Sequence, residues 1–169
     1  ILNQQLMAQN QALTSQLAEL EAIKQENNTL REALGLRSEK QFELIMGEAI
    51  GKDITKDSLL INVGSKDGVV KGFPVVLSGK ILLGKITDVY DNFSRVSLIS
   101  AKDNLIDVEI PDNSVSALSR GQGGLKISLE MVPKDKQINV GSLILTSAMG
   151  GNYPSGLVMG RVKSVENLD

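Results

Sequence analysis

The 169-residue chain contains no cysteine and no histidine. Without thiols there is no disulfide, no thiol nucleophile and no zinc ribbon, and the redox compartment is left undecided. Without imidazole there is no Ser-His-Asp triad, no Cys-His dyad, no HExxH zinc site and no His general base. Aromatic residues are scarce, with three Phe and two Tyr. The 18 Lys and Arg are outnumbered by 20 Asp and Glu, for a net charge of −2. With neither a basic stripe nor stacking platforms, the chain is not expected to bind nucleic acid. Long apolar runs are also missing. Leu59-Leu60-Ile61 and Phe73 to Leu77 are strand-length, far below the roughly 20 residues that span a membrane.

What is present begins with a heptad over residues 1–36. Leu6, Leu13, Leu20, Asn27 and Leu34 fall seven apart, and Leu2, Ile23 and Leu30 share the position three residues on, with Gln9 and Gln16 in its other slots. A helix with apolar residues every 3.5 positions cannot bury its stripe alone, so the pattern predicts a self-associating coiled coil, dimeric or filamentous. The alternative is an amphipathic helix packed on its own β region. Asn27 stands where leucine is the rule and resembles the polar residue that sets register and oligomer state. Gly35 is the expected C-cap, and Arg37, Glu39 and Lys40 mark a charged linker over residues 37–41. The chain begins inside the heptad with no Met, cap or leader. Further sequence, with a membrane anchor as one candidate, is therefore expected before Ile1.

After Phe42 the helical period gives way to short β-branched runs separated by turn residues. The predicted strands are Ser58 to Val63, Phe73 to Leu77, Ile81 to Tyr90, Val96 to Ser100, Leu105 to Ile110, Leu125 to Val132, Leu143 to Ser147 and Leu157 to Val165. This spacing predicts an all-β barrel or sandwich. The region also echoes itself. Ile61-Asn62-Val63-Gly64-Ser65 recurs as Ile138-Asn139-Val140-Gly141-Ser142, and Gly84-Lys85-Ile86 is answered by Gly160-Arg161-Val162. We read a duplication into two related β regions, 42–120 and 121–169, joined through a flexible Arg120-Gly121-Gln122-Gly123-Gly124. Region 121–169 is short for six strands of its own, which leaves strand exchange between the two open. Gly64, Gly68, Gly72, Pro74, Gly84, Gly141, Gly151, Pro154, Gly156 and Gly160 are read as structural positions in turns and bulges.

Catalytic signatures fail one by one. Gly79 to Lys85 satisfies GxxxxGK, but Ile86 replaces the magnesium-binding hydroxyl and no helix follows. Ser147 sits in a turn-like Thr146-Ser147-Ala148-Met149-Gly150-Gly151, and without His only a lysine would serve as its base. Asp53, Asp57, Asp103, Asp107, Glu109 and Asp112 form no calcium loop and read as solvated strand edges. No catalytic, cofactor-binding or metal-ligating residue and no small-molecule ligand is expected.

Several stretches, in order, resemble the MreC family of bacterial rod-shape-determining proteins. They are Glu26-Asn27-Asn28-Thr29-Leu30-Arg31, Ala49 to Asp53, Ile61 to Val69, Gly72 to Val76, Gly84 to Ile86, Ser94 to Ile99, Leu145 to Gly156, and Met159 to Val162. Thr146-Ser147-Ala148 stands where that family commonly has TSG, and Gly141-Ser142 where it often has Gly-Asp. The resemblance implies a mainly β chain, in which a coiled-coil helix precedes two small six-stranded β domains of similar topology. These domains resemble chymotrypsin-like barrels without catalytic residues. It also implies a single-pass anchor before Ile1, with this region outside the cytoplasmic membrane. The implied role is a non-enzymatic scaffold of cell elongation that maintains rod shape. The implied partners are MreD, indirectly MreB, the elongation penicillin-binding transpeptidase and its glycosyltransferase. A competing reading is a periplasmic export adaptor of the membrane-fusion class, which needs a second helix where Val165 to Asp169 offers no heptad.

Overall fold

The computed structural model describes residues 2–33, 42–78, 80–102, 104–151 and 153–166. The expectations for Leu34, Gly35, the linker 37–41, Gly79 and Asp103 lie outside the described residues. The chain divides into two compact units, Ile1–Leu44 and Ile45–Asp169.

The first unit carries one uninterrupted helix, α1, over Leu2–Ala33, 32 residues long. At about 1.5 Å per residue it measures roughly 48 Å. Its composition explains its continuity, since glycine and proline are absent and Leu, Ala, Gln and Glu dominate. Thr14 and Thr29 turn their hydroxyls back to the Asn10 and Gln25 carbonyls, at 2.8 and 3.0 Å, a local bond that the helix accommodates at small cost. Among the described residues no helix is long and apolar enough to cross a membrane.

The second unit is a β structure of ten strands. They are β1 (Ala49–Asp53), β2 (Ser58–Ile61), β3 (Pro74–Leu77), β4 (Ile81–Val89), β5 (Ser94–Leu98), β6 (Leu105–Ile110), β7 (Val115–Gly123), β8 (Lys126–Glu130), β9 (Leu143–Thr146) and β10 (Val158–Arg161). All belong to one sheet in the order β1-β2-β5-β4-β10-β9-β6-β7-β8, with β3 paired to β4 alone. The pairings are antiparallel except for one parallel bridge, Val158 on β10 with Ile81 on β4. The expected crossing at residues 120–124 is mostly strand: β7 runs straight through Arg120 and Gly121.

Alternation along these strands builds two cores on the sheet. Val69, Ile86 and Val96 form one, with Leu59, Ile61, Val63, Val75 and Val89 packed around them. Leu82, Ile106, Val108, Ala117 and Tyr153 form the other. Strand β4 serves both cores, because Leu82 and Ile86 are two pleats apart on its inward face. Strands β2 to β5 thus surround one core. The last five surround the other, with Leu82, Val76 and Ile99 lent from the first half.

The internal repeat is real in one of its two matches. Gly72 donates its N–H to the Ile86 carbonyl at 2.8 Å, and Ile86 donates back to Phe73 at 2.9 Å. Gly141 donates to Val162 at 2.8 Å, and Val162 donates back to Ser142 at 3.0 Å. The hairpins β3–β4 and β9–β10 share a register, with Pro74 opposite Lys85 and Val75 opposite Gly84 answering Leu143 opposite Arg161 and Ile144 opposite Gly160. Gly84-Lys85-Ile86 and Gly160-Arg161-Val162 are therefore equivalent, as the sequence predicts. The identical pentapeptides are not. Gly64 has φ −141° ahead of a short 3-10 turn, whereas Gly141 has φ +94° ahead of β9. The structural partner of Gly141 is Gly72, at φ +92°.

Candidate functional site

The heptad stripe lies along α1 as an unburied surface. Leu2, Leu6, Leu13, Leu20, Ile23 and Leu30 are each between 48% and 71% exposed, and Asn27 is exposed among them. Leu17 and Met7 are equally exposed and widen the stripe beyond the heptad reading. The signal for Leu17 is its place four residues after Leu13 and three before Leu20, the spacing of one helix face. An apolar row of this length, left in water, costs free energy that a partner helix would recover.

Turn positions organise the β unit. Gly68, Gly72, Gly141, Gly151, Gly156 and Gly160 all take positive φ. Gly64 and Gly84 are required for a different reason. A Cβ on Gly84 would strike the Ser97 carbonyl of β5, and one on Gly64 the Tyr90 carbonyl. Pro74 opens β3, where a missing N–H costs least because β3 pairs on one side only.

The stretch after β9 is a loop clamped by one threonine. Thr146 is fully buried, donates its hydroxyl to the Pro154 carbonyl at 2.6 Å and accepts the Leu157 N–H at 2.9 Å. Ser147 is 8% exposed, and its hydroxyl accepts the Met149 N–H at 3.3 Å. The space beside it is lined by Ile106, Asp107, Gly150 and Tyr153 and leaves no room for a water molecule. Among the described residues, no lysine lines the space beside this hydroxyl. The Tyr153 ring fills the core, and burial pushes its phenol up from the ordinary tyrosine range against a smaller opposing influence from Asn104.

The carboxylates divide. Asp53 stays at the surface, where its Oδ1 accepts the Thr55 hydroxyl and N–H and the Lys56 N–H, and this holds its pKa below the usual carboxylate value. Asp57 departs from the sequence reading of a solvated edge charge. It is 2% exposed, because the turn after β1 folds it under the β7–β8 turn, where it accepts the Leu125 N–H. Among the described residues no group of His, Cys, Asp or Glu gathers to hold a metal ion.

Three strand edges remain open among the described residues, since β1 pairs only with β2, β8 only with β7 and β3 only with β4. Ile50 on β1 and Ile127 on β8 are exposed there, interleaved with Lys52 and Lys126. Such edges accept an added strand unless charges discourage it.

Residues 49–169 match the family model "Rod shape-determining protein MreC, barrel core". The cell shape-determining protein MreC of Escherichia coli strain K12 is 33% identical over 168 residues, covering 98% of this chain and 44% of that protein. The MreC of Bacillus subtilis strain 168 is 32% identical over 179 residues, covering 98% and 62%. The chain thus spans about half the length of the curated relatives it matches. Among solved structures, MreC from Pseudomonas aeruginosa superposes with a TM-score of 0.67 at 28% identity, covering 71% of this chain and 79% of that one. The Listeria monocytogenes MreC structure superposes at 0.81 with 24% identity, covering 96% and 81%, and bears on the fold alone. With the helix, the paired β hairpins and these matches together, the chain belongs to the MreC family of rod shape-determining proteins.

Proposed function

We propose that this chain is the extracytoplasmic part of a non-enzymatic scaffold for cell elongation, which maintains rod shape by assembling other proteins. The observation that carries this reading is the exposed leucine stripe along a 32-residue helix, a surface built for pairing rather than for chemistry. Self-association through Leu2, Leu6, Leu13, Leu20, Ile23, Asn27, Leu30 and Leu34 multiplies the copies, and the β unit offers its open edges to peptidoglycan synthases. The elongation transpeptidase and its glycosyltransferase are the partners proposed outside the membrane. MreD, and through it MreB, are the partners proposed at and beneath it. The relatives' shared description as cell shape-determining proteins supports the role. Ser147 is buried beside a space too small for water, so we read it as a loop residue and not as a nucleophile.

The test is photo-crosslinking in rod-shaped cells, with reactive residues placed on β1 and β8 of the full-length protein and captured proteins identified by mass. Capture of the transpeptidase, together with rounding of depleted cells, is the expected result. Capture of an export pump with cell shape unchanged would overturn the proposal.

A further inference from the structure

The β1–β2 turn and the β7–β8 turn face each other across a cavity of about 580 Å³, within the range of small-ligand sites. Its lining includes Lys56, Asp57, Ser97, Lys102, Gln122 and Gly124. Three observations set this place apart. Asp57 is 2% exposed, one carboxylate oxygen accepts the Leu125 N–H at 3.2 Å, and the other is buried with no partner among the described residues. Both turns are held in left-handed backbone, with Asp57 at φ +45° on one side and Gly123, Gly124 and Leu125 at +80°, +61° and +60° on the other. Neither Asp57 nor Leu125 has a glycine's tolerance for that conformation. Finally, Lys56 and Lys102 form no salt bridge among the described residues, although Asp53 lies near Lys56. Lys102 runs its aliphatic stem along Gly123, where a side chain would displace it.

The lining asks for a ligand with two features. Two ammonium groups against one carboxylate favour an anion, and the unmet Asp57 oxygen calls for a donor. We propose that the cavity binds the free carboxyl end of an extended peptide. The terminal carboxylate sits between Lys56 and Lys102, and a backbone N–H of the ligand meets Asp57. Gly124 has open space where a Cβ would stand, so the ligand backbone approaches it closely.

The test uses the isotope-labelled 169-residue chain and N-acetyl-Ala-Ala-Ala, as the free acid and as the C-terminal amide. The free acid is expected to shift the amide resonances of Ser97, Gly123 and Gly124 saturably, and the amide to bind about tenfold more weakly or worse. The surface double variant Lys56→Gln/Lys102→Gln should lose about as much while keeping its other resonances. Asp57→Asn should weaken binding of both probes. Unacetylated Ala-Ala-Ala separates sources: equal or better binding of the acetylated form marks a protein tail, and preference for the free amine marks a short free peptide. Either supports the assignment. Equal binding of acid and amide, wild-type binding by the lysine variant, or no saturation would overturn it.

Discussion

The Thr146 hydroxyl and the Pro154 carbonyl, eight residues apart, are joined by a hydrogen bond of 2.6 Å that closes the loop after β9. The same oxygen accepts the Leu157 N–H, so one side chain answers two backbone groups. Thr146→Val keeps the shape and removes both bonds. It should cost about 2 kcal/mol, since buried partners left unpaired cost roughly 1–3 kcal/mol. Thr146→Ser should cost about 1 kcal/mol or less for the lost methyl. Urea unfolding of the two variants checks the ordering.

Gly84 and Gly124 should respond to alanine in opposite measure. At Gly84 the new Cβ meets the Ser97 backbone, which cannot move without breaking the β4–β5 ladder. A loss of at least about 3 kcal/mol is expected, in the range reserved for steric conflict in a core. At Gly124 there is space, and only the left-handed φ of +61° penalises a side chain, by about 1–2 kcal/mol. Thermal unfolding distinguishes the two.

Leu82→Ala and Ile86→Ala each open one of the two cores and should each cost about 2–5 kcal/mol. The residues are four apart on one strand, about 13 Å. Sites that far apart add to within about 0.5 kcal/mol. A double mutant outside that limit would show that the two cores are energetically coupled through β4.

If α1 pairs through its stripe, Leu13→Asn/Leu20→Asn should abolish concentration-dependent self-association in sedimentation experiments. Asn27→Leu should tighten assembly and broaden its stoichiometry, as expected when a register-setting polar residue is lost. Monomeric behaviour of the unmodified full-length protein at all concentrations would count against the pairing.

The Tyr153 hydroxyl is buried beside Asn104 without a well-formed hydrogen bond. Tyr153→Phe should therefore be neutral, or stabilising by up to about 1 kcal/mol, near pH 7. The sign of the pH effect follows from the raised phenol. The folded state keeps a proton that the unfolded state releases near pH 10. Stability is therefore full below about pH 10 and falls as pH climbs through the folded-state value. The Phe variant should lack this part of the alkaline loss, as measured by denaturant midpoints across that range.

Much of this is legible in residue order. Period-2 alternation with β-branched residues marks β4, β6 and β9 to within a residue or two. Strand β7 escapes such a reading because its inward residues shrink along its length, from Val115 and Ala117 to Ser119 and Gly121. Hydropathy reads Ser and Gly as turn, yet Gly121 is small because the Ala101 carbonyl approaches it. Strand β1 is hidden for the opposite reason: an exposed edge strand has little burial to write into its pattern. Asp57 passes for a surface charge because a lone aspartate carries no sign of what another turn, 68 residues away in sequence, will place over it. Its partner is a backbone N–H, which sequence does not label.

The order of strands in the sheet has a consequence for how the protein is made. β10 lies between β4 and β9, and it is the only strand whose ladder joins the first five strands to the last five among the described residues. Of the ten strands, a ribosome delivers it last. Until Val158 to Arg161 leave the exit tunnel, the emerging chain holds two half-sheets, each with a raw edge waiting for the same strand. Closure of the sheet therefore waits on the last of the ten strands, and until then the edges of β4 and β9 that it will cover stay unpaired.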